Sequence, residues 1–239
     1  MILNCNIMTT QTVTDTYKSI VLETFRAGRQ ATYQKDEIII QAGDTPKNVQ
    51  YLVEGFVLVY SLNARGENFT HTVYGPGDIF PVAWIINHYK HNIFYKAMTA
   101  CTCLVVTMDS LLETLSTDSQ ASMAFLAETI DHFIVYSDRV DNLIYKYARE
   151  RLAFRLMYLA SRFGEKDGTS YVLPAQLNQQ VIGSSINLSR ETVGRELERL
   201  MSKHAVSYRG KSITIDNVQA LADEIKDTAN TNWWGLDAV

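Results

Sequence analysis

A heptad repeat of apolar residues runs through the middle of this 239-residue chain and constrains its fold more than any other feature. The repeat alternates spacings of three and four, and its members are Met123, Leu126, Ile130, Phe133, Ser137, Val140, Ile144 and Tyr147, of which only Ser137 is polar. A narrow seam of this kind is typical of coiled coils, whereas a helix lying on a globular domain usually has a wider apolar stripe. We therefore predict a dimerisation helix over 118–147, capped at Thr117-Asp118.

The segment before the seam has the pattern of a β-domain. Short runs of β-branched and aromatic residues occupy 37–40, 49–52, 56–62, 70–74 and 104–108, and turns that contain Gly43, Gly55, Gly66, Gly75 and Gly77 separate several of them. Short strands at such intervals predict an all-β roll or barrel. Residues 14–25 have the pattern of a short helix. The prediction is a β-roll domain over residues 1–117 with an N-terminal helix.

The segment after the seam has the signals of a winged helix-turn-helix. The predicted elements are a helix over 149–163, a short helix from the cap Asn178 to about Ser184, a turn at 185–187, a longer helix capped by Ser189, a hairpin over 205–215, and a last helix from the cap Asp216 to about Ile225. Asn and Ser are preferred helix caps, and two helices around a tight turn make this motif. Residues 148–239 are predicted to form this domain, with no structural prediction for the tail from residue 227.

Charge separates the two ends of the chain. Between residues 148 and 215 there are 11 Lys and Arg against 6 Asp and Glu, a balance of +5, while the remainder carries 11 against 20, a balance of −9. A basic segment in an acidic chain favours an anionic partner for one domain only. The alternative is an uneven surface without function. No stretch approaches the length of a membrane span and no secretory leader is visible, so we expect a cytoplasmic protein.

The second helix of the predicted motif opens with the run Ser-Arg-Glu-Thr-Val-Gly-Arg at 189–195. If its apolar positions face the protein, then Arg190, Glu191 and Arg195 share one outward surface near the N-terminal end. Arg can bond two acceptors of guanine, and Glu can accept from the amino group of cytosine. These residue types therefore predict contact with DNA base edges. The alternative is a solvated helix face on which Glu191 and Arg195 merely pair.

The chain from about residue 33 to 225 resembles transcription regulators of the Crp/Fnr family. The run 189–195 and the glycine contexts Ala-Gly-Asp, Glu-Gly and Gly-Pro-Gly-Asp-Ile-Phe carry the resemblance. It implies an α+β architecture, with a cyclic-nucleotide-binding-like β-roll, a long dimerisation helix and a C-terminal winged helix-turn-helix. It also implies a homodimer that binds an inverted repeat of double-stranded DNA and contacts RNA polymerase as an activator. By the same likeness, Arg190, Glu191 and Arg195 read a half-site similar to TGTGA, and the phosphate contacts come from Asn178, Gln180, Ser189 and Thr192.

The resemblance is weakest at the effector pocket, whose corresponding positions are Gly77, Asp78, His91, Asn92, Tyr136 and Ser137. Relatives that bind cyclic nucleotides have an Arg-Ser pair for the cyclic phosphate where this chain has His91-Asn92. No arginine occurs between Arg65 and Arg139, so the guanidinium group, which binds phosphate best, is missing from this region. We therefore expect a small-molecule effector other than cyclic AMP, or none. A cyclic-nucleotide-responsive activator is the alternative. Tyr136 and Ser137 are expected to couple the pocket to the dimer helix.

The sequence contains few of the residues that other cofactors or catalysis would need. Cys5 stands alone, and Cys101 and Cys103 are expected on one face of one strand, which argues against an iron-sulfur cluster. His88 and His91 lack a third partner nearby for a metal or haem. A cupin-like metal enzyme is a remote alternative, because no His-x-His pair occurs and no nucleophile elbow, zinc-protease or P-loop motif is present. We therefore predict no metal site and no enzyme activity.

Overall fold

The N-terminal part of the chain contains two four-stranded sheets whose side chains share one core. The computed structural model describes residues 10–82, 84 and 92–225. The first sheet has the order β1 (Arg29–Tyr33), β8 (Cys101–Thr107), β3 (Asn48–Glu54) and β6 (Ile79–Phe80). The second has the order β2 (Ile38–Ile40), β7 (Phe94–Ala97), β4 (Val57–Leu62) and β5 (Asn68–Tyr74). Leu52, Val57 and Phe80 are among the buried residues between them. This arrangement confirms the predicted β-roll.

Three helices belong to this part of the chain. They are α1 (Thr10–Arg26), α2 (Met108–Thr117) and α3 (Ser119–Ile144). Phe25 of α1, Leu111 of α2 and Phe125 of α3 join a second core cluster with residues of the first sheet. Asp118 starts α3, because its Oδ1 accepts from the backbone N–H groups of Gln120 at 2.8 Å and Ala121 at 3.2 Å.

The long helix ends before the last position of the predicted seam. α3 stops at Ile144, and Tyr147 precedes α4 (Ala148–Phe163) in extended conformation. The Glu150 carboxylate accepts from the backbone N–H of Tyr147 at 3.3 Å, which favours a new helix start here over continuation of α3. The prediction that Tyr147 lies on the dimerisation helix was therefore wrong.

The C-terminal part contains the predicted helix-turn-helix and wing. Its elements after α4 are β9 (Glu165–Asp167), β10 (Ser170–Val172), α5 (Gln179–Ser185), α6 (Arg190–Ser202), β11 (Val206–Arg209), β12 (Ser212–Ile215) and α7 (Val218–Ala222). The strands form one sheet in the order β11-β12-β10-β9. β9 and β10 were not predicted from the sequence. The cap of α7 is Asn217, whose side chain accepts from the N–H of Ala220, and not the predicted Asp216.

The structure divides into two compact units, and each unit combines two segments that are separated in the sequence. One comprises residues 1–59 and 73–136, and the other comprises residues 60–72 and 137–239. The second unit therefore includes the tip of the β4–β5 hairpin. In this unit, the hydroxyl groups of buried Thr70 and of Ser184 on α5 are 2.6 Å apart. The hairpin thus contacts the first helix of the helix-turn-helix.

A buried carboxylate fixes the C-terminal end of α6. Glu224 is only 7% exposed, and its Oε1 lies 3.0 Å from Nη1 of Arg199 and 2.6 Å from Nζ of Lys203. Burial raises the pKa of Glu224, but the two cations lower it more, so the pKa lies below its ordinary value of 4.5. The pairs therefore hold α6 against the turn that follows α7.

We expect Glu224→Gln to lower the free energy of unfolding by about 1 to 2 kcal/mol at neutral pH. A fully buried pair would cost more, but Lys203 is half exposed. A carboxyl group with a lowered pKa stabilises the fold above its ordinary pKa, and this contribution is lost as pH falls. The difference between wild type and variant should therefore shrink below about pH 4.5 in urea unfolding. Glu198→Gln, at an exposed position of α6, is the control, and an equal loss in both variants would contradict the assignment.

Candidate nucleic-acid interface and sensor pocket

Side-chain caps begin both helices of the helix-turn-helix. Oδ1 of Asn178 accepts from the backbone N–H groups of Gln180 at 3.0 Å and Val181 at 3.1 Å. Oγ of Ser189 accepts from the N–H of Thr192 at 3.1 Å. Each cap satisfies N–H groups that have no partner within the helix. The two caps that we predicted from the sequence are therefore present.

A close backbone approach sets the turn between the two helices. The N–H of Leu188 donates to the carbonyl of Gly183 at 3.0 Å, and Asn187 has a φ of +54°. A Cβ added at Gly183 would lie 2.7 Å from the carbonyl oxygen of Leu188, closer than real Cβ contacts allow. Asn tolerates the left-handed conformation better than most residues. The turn therefore depends on Gly183 for space and on Asn187 for conformation.

The second helix separates an apolar face from a charged one. Val193, Leu197 and Leu200 are all 0% exposed in the core. Arg190, Glu191 and Arg195 are exposed near the N-terminal end of α6, which is the surface on which the sequence predicts base contacts. The structure thus brings the three predicted base-reading residues together on one accessible face.

Local interactions favour the ionised form of the carboxyl group on this surface. Its own backbone N–H and Ser189 lower the pKa of the Glu191 carboxyl, and the charges of Arg190 and Arg195 lower it further. An ionised carboxylate only accepts hydrogen bonds. Nη2 of Arg195 contacts Oγ1 of Thr192 at 3.4 Å. The surface therefore displays one acceptor and two guanidinium donors.

A groove of about 430 Å³ adjoins this surface. Its lining residues come from α5, from the start of α6 and from the wing, and they are Ala175, Asn178, Gln179, Gln180, Arg190, Tyr208, Lys211 and Ile213. Nε2 of Gln179 donates to the Tyr208 hydroxyl at 2.9 Å, which ties the first helix to the wing. Gln180 is exposed beside Asn178. Our sequence analysis missed Gln179, Tyr208 and Lys211, although the basic turn of the wing signalled the last of these.

In the N-terminal domain, the predicted pocket residues Gly77 and Asp78 lie in the turn before β6. The N–H of Gly75 donates to Oδ2 of Asp78 at 2.7 Å, and the N–H of Gly77 donates to the carbonyl of Leu52 at 2.8 Å. Asp78 is buried, with 7% exposed. The turn therefore holds the buried carboxylate of Asp78 in the interior of the N-terminal domain.

The other predicted pocket residues are exposed or lie outside the described residues. Asn92 is exposed, and His91 lies outside the described residues. Tyr136 and Ser137 are exposed on α3. Burial raises the pKa of the partly buried Tyr95 in the sheet, and Tyr136 raises it further. The coupling role of Tyr136 and Ser137 stays a prediction.

An aromatic stack lines the interior beside Asp78. Tyr74 stacks on Phe80 at 5.8 Å between ring centroids, and Phe80 stacks on Tyr95 at 5.5 Å. The imidazole of His132 on α3 stacks on Tyr74 at 5.3 Å. This aromatic wall is part of the buried core, because Tyr74 is 6% and Phe80 is 0% exposed.

A histidine and two carboxylates meet at the end of this stack. Nε2 of His132 lies 3.6 Å from Oδ1 of Asp78 and 3.3 Å from Oε1 of Glu128. Burial lowers the pKa of His132, but the two carboxylates raise it more, to about 9. The sequence analysis singled out Asp78 alone. The i, i+4 spacing of Glu128 and His132 was a visible signal, but their meeting with Asp78 depends on the fold.

The seam on α3 is exposed in the single chain. Phe133 is 71% exposed and Val140 is 61% exposed. Met123, Leu126 and Ile130 are each about half exposed, and Ser137 is also exposed. The side chain of Ile144 lies outside the described residues. An apolar stripe of this length on one helix is typical of an interaction surface.

Comparison with known proteins identifies two domain families. A model described as the cyclic nucleotide-binding domain matches residues 30–118, and a model described as the Crp-like helix-turn-helix domain matches residues 150–224. Among the described residues, no helix combines the length and apolar character needed to cross a membrane.

Curated proteins and solved structures resemble the chain over most of its length. The cAMP-activated global transcriptional regulator CRP of Haemophilus influenzae is 25% identical over 187 residues, which are 77% of this chain and 82% of that protein. The fumarate and nitrate reduction regulatory protein of Yersinia pestis is 27% identical over 197 residues, 81% of this chain and 77% of that protein. The structure of FixK2 from Bradyrhizobium japonicum matches with a TM-score of 0.72 at 24% identity, covering 89% of this chain and 98% of that one.

We expect Gly183→Ala to weaken the helix-turn-helix, because the new Cβ would meet the carbonyl of Leu188. Overpacking of this kind costs about 1 to 3 kcal/mol, and the midpoint of thermal unfolding should fall accordingly. Gly194→Ala is the matched control, since its added Cβ would meet Gln179 at an ordinary distance of 3.5 Å. A helical Gly→Ala change without a clash should stabilise slightly. Equal effects of the two substitutions would refute the close approach.

Proposed function

The chain belongs to the Crp/Fnr family of transcription regulators, and we propose that it binds inverted-repeat DNA as a homodimer and reads each half-site with Arg190, Glu191 and Arg195. The observation that carries the proposal is the exposure of these side chains at the start of α6, opposite the buried Val193 and Leu197. Helices of this motif contact base edges with their first turns.

The chemistry of the three side chains favours G·C pairs. Each guanidinium can donate to O6 and N7 of guanine, and the ionised Glu191 can accept from N4 of cytosine. Two guanine readers and one cytosine reader fit a half-site similar to TGTGA. The positive balance of residues 148–215 supplies the attraction to duplex DNA that does not depend on sequence.

Four other residues, Asn178, Gln180, Ser189 and Thr192, are proposed to contact phosphates. Asn178 uses its Oδ1 for the helix cap, which leaves the side-chain amide to donate to a phosphate. The Ser189 and Thr192 hydroxyls lie 3.0 Å apart at the N-terminus of α6, where the helix dipole favours an anion. Lys211 of the wing adds a cation to the same groove. These contacts orient the protein on DNA without reading sequence.

The exposed seam supports the homodimer. A second copy of α3 would cover apolar side chains such as Phe133 and Val140, and burial of such a side chain contributes about 1.5 to 3 kcal/mol. A two-fold axis along the seam would place two α6 helices for two half-sites. Contact with RNA polymerase and activation of transcription belong to the same proposal, as does a cytoplasmic location beside the DNA.

The proposed effector is a small molecule other than cyclic AMP, or none is required. The curated CRP relatives are cAMP-activated, but this chain has no arginine between Arg65 and Arg139 to bind the cyclic phosphate. The stack of Tyr74, Phe80 and Tyr95 suits an apolar or aromatic ligand instead. Operator binding with and without cyclic AMP separates the two cases. A cyclic-AMP response above about tenfold would favour the cyclic-nucleotide alternative.

We expect Glu191→Ala to relax preference at one base pair of the half-site, because the cytosine amino group loses its acceptor. Binding to a TGTGA-like inverted repeat and to its single-pair variants should be measured at one salt concentration. Discrimination at that pair should fall at least about fivefold. The control Gln180→Ala should weaken all sequences about equally. Unchanged selectivity in Glu191→Ala, or preference of the wild type for an unrelated motif, would overturn the base assignment.

We expect Ile130→Asp combined with Val140→Asp to abolish the dimer that the seam is proposed to form. Both positions are exposed in the single chain, so the substitutions should leave its fold intact. In the dimer they would place like charges opposite each other in an apolar seam, where unpaired charges are costly. Sedimentation velocity should show a monomer for this variant and a dimer for Gln120→Asp, which lies outside the seam. A double variant that still sediments as a dimer would disprove the seam.

A further inference from the structure

We propose that Asp78, Glu128 and His132 form a binding site for a divalent first-row transition metal ion. One ligand atom from each residue lies within 4.8 Å of the other two. Asp78 comes from the turn before β6, while Glu128 and His132 come from α3. All three residues are buried, at 7%, 8% and 9% exposure. The proposed site therefore joins the sheet to the helix from inside the domain.

The spacing of the donor atoms matches a metal site. Residues four apart on a helix lie on one face, as Glu128 and His132 do, and this is a common spacing for two ligands of one ion. With bonds of about 2.1 Å, two ligands of a tetrahedral ion are about 3.4 Å apart. The distances from Nε2 of His132 to the two carboxylates are 3.3 and 3.6 Å. The two carboxylate oxygens lie within 4.8 Å of each other, so an ion between the three donor atoms would draw them closer together.

The imidazole nitrogen that points into the cluster has no hydrogen bond. Nε2 of His132 is fully inaccessible to solvent and has hydrogen-bond geometry to neither carboxylate. A buried polar atom without a hydrogen bond is costly, and a coordinate bond would satisfy it. A bound ion replaces the proton of the imidazole, and the two carboxylates with the neutral imidazole then carry a charge of −2, which a divalent ion balances. Both the orphaned atom and the charge thus favour a cation at this point.

Surrounding groups orient the proposed ligands. Oδ2 of Asp78 accepts from the N–H of Gly75 at 2.7 Å, so Oδ1 faces His132. The imidazole stacks on Tyr74 with an angle of 15° between the rings, which fixes the plane of its nitrogen lone pair. Ligands in metal sites are commonly held by such outer contacts. The donor atoms are therefore arranged before an ion binds.

The donor set selects the class of ion. Imidazole favours Zn²⁺, Fe²⁺ and related ions, while carboxylates also accept Mn²⁺. Mg²⁺ prefers oxygen ligands and retains several waters, which a buried site with a nitrogen ligand does not suit. Three protein ligands leave at least one coordination position for water or a small molecule. The site could therefore bind an effector through the ion as well as the ion itself.

The position of the site connects it to the rest of the protein. His132 adjoins the seam residue Phe133 on α3, and a bound ion would hold this part of the helix to the turn at Asp78. If the proposed DNA-binding function holds, metal occupancy should change operator affinity. Metal binding is nevertheless measured without DNA, so failure of one proposal leaves the other intact.

The test is metal binding by the full chain after treatment with EDTA and removal of any affinity tag. Calorimetric titration with Zn²⁺ and native mass spectrometry should show one ion per chain, and Mg²⁺ should not bind comparably. His132→Gln and Glu128→Gln each retain side-chain volume and should weaken Zn²⁺ binding at least about 100-fold. The control His71→Gln changes a histidine that bonds Ser61 elsewhere and should leave affinity unchanged.

A second readout on the wild type does not depend on folding of the variants. Pulsed electron paramagnetic resonance of bound Mn²⁺ should show coupling to one histidine nitrogen. The proposal is overturned if Zn²⁺ does not bind the wild type at micromolar concentrations, if folded His132→Gln binds as tightly as the wild type, or if the Mn²⁺ spectrum shows no histidine nitrogen.

Discussion

The helix α3 has one face buried against the N-terminal domain and one exposed apolar face, and much of the structure depends on this arrangement. Residues 121, 124, 125, 128 and 132 follow the helical repeat and are buried against the N-terminal domain. Residues 123, 126, 130 and 133 follow the heptad on another face and are exposed. Because α3 moves as one rigid helix, a change in the packing of one face also moves the other face.

This double use of one helix gives a physical basis for regulation. The buried face carries His132, which contacts the aromatic wall and Asp78, and the exposed face carries the proposed dimer seam. A ligand or ion that favours one packing of the buried face would bias the seam by its difference in affinity for the two arrangements.

The recognition end of the protein is built differently, from local interactions. Caps at Asn178 and Ser189, the close approach at Gly183 and the buried face of α6 involve residues near one another in sequence. These local contacts position the exposed side chains at the start of α6. More distant contacts come from α4, which packs against α6, and from the ion pairs of Glu224 with Arg199 and Lys203 at its far end.

The difference between local and long-range contacts also explains which elements could be predicted from the sequence. The limits of α5, α6 and the wing were close to prediction, because caps, turns and the 3.6-residue period are local signals. Strands β1, β6 and β7 were missed, since short strands acquire their structure from partners such as β8 and β3 that are distant in sequence. The helix α2 was also missed, because the strand pattern before it extended to its first residue, Met108.

The sequence by itself determined the class of protein, the seam and the three residues proposed to read bases. Periodicity, capping and residue chemistry depend on residues that are close in sequence, so they can be recognised without any tertiary contact. Only the tertiary structure decided that Tyr147 leaves the long helix, that Tyr74, Phe80 and Tyr95 line one wall, and that Asp78 meets Glu128 and His132. Those outcomes depend on which distant segments pack together, because burial and charge pairing are properties of the assembled core.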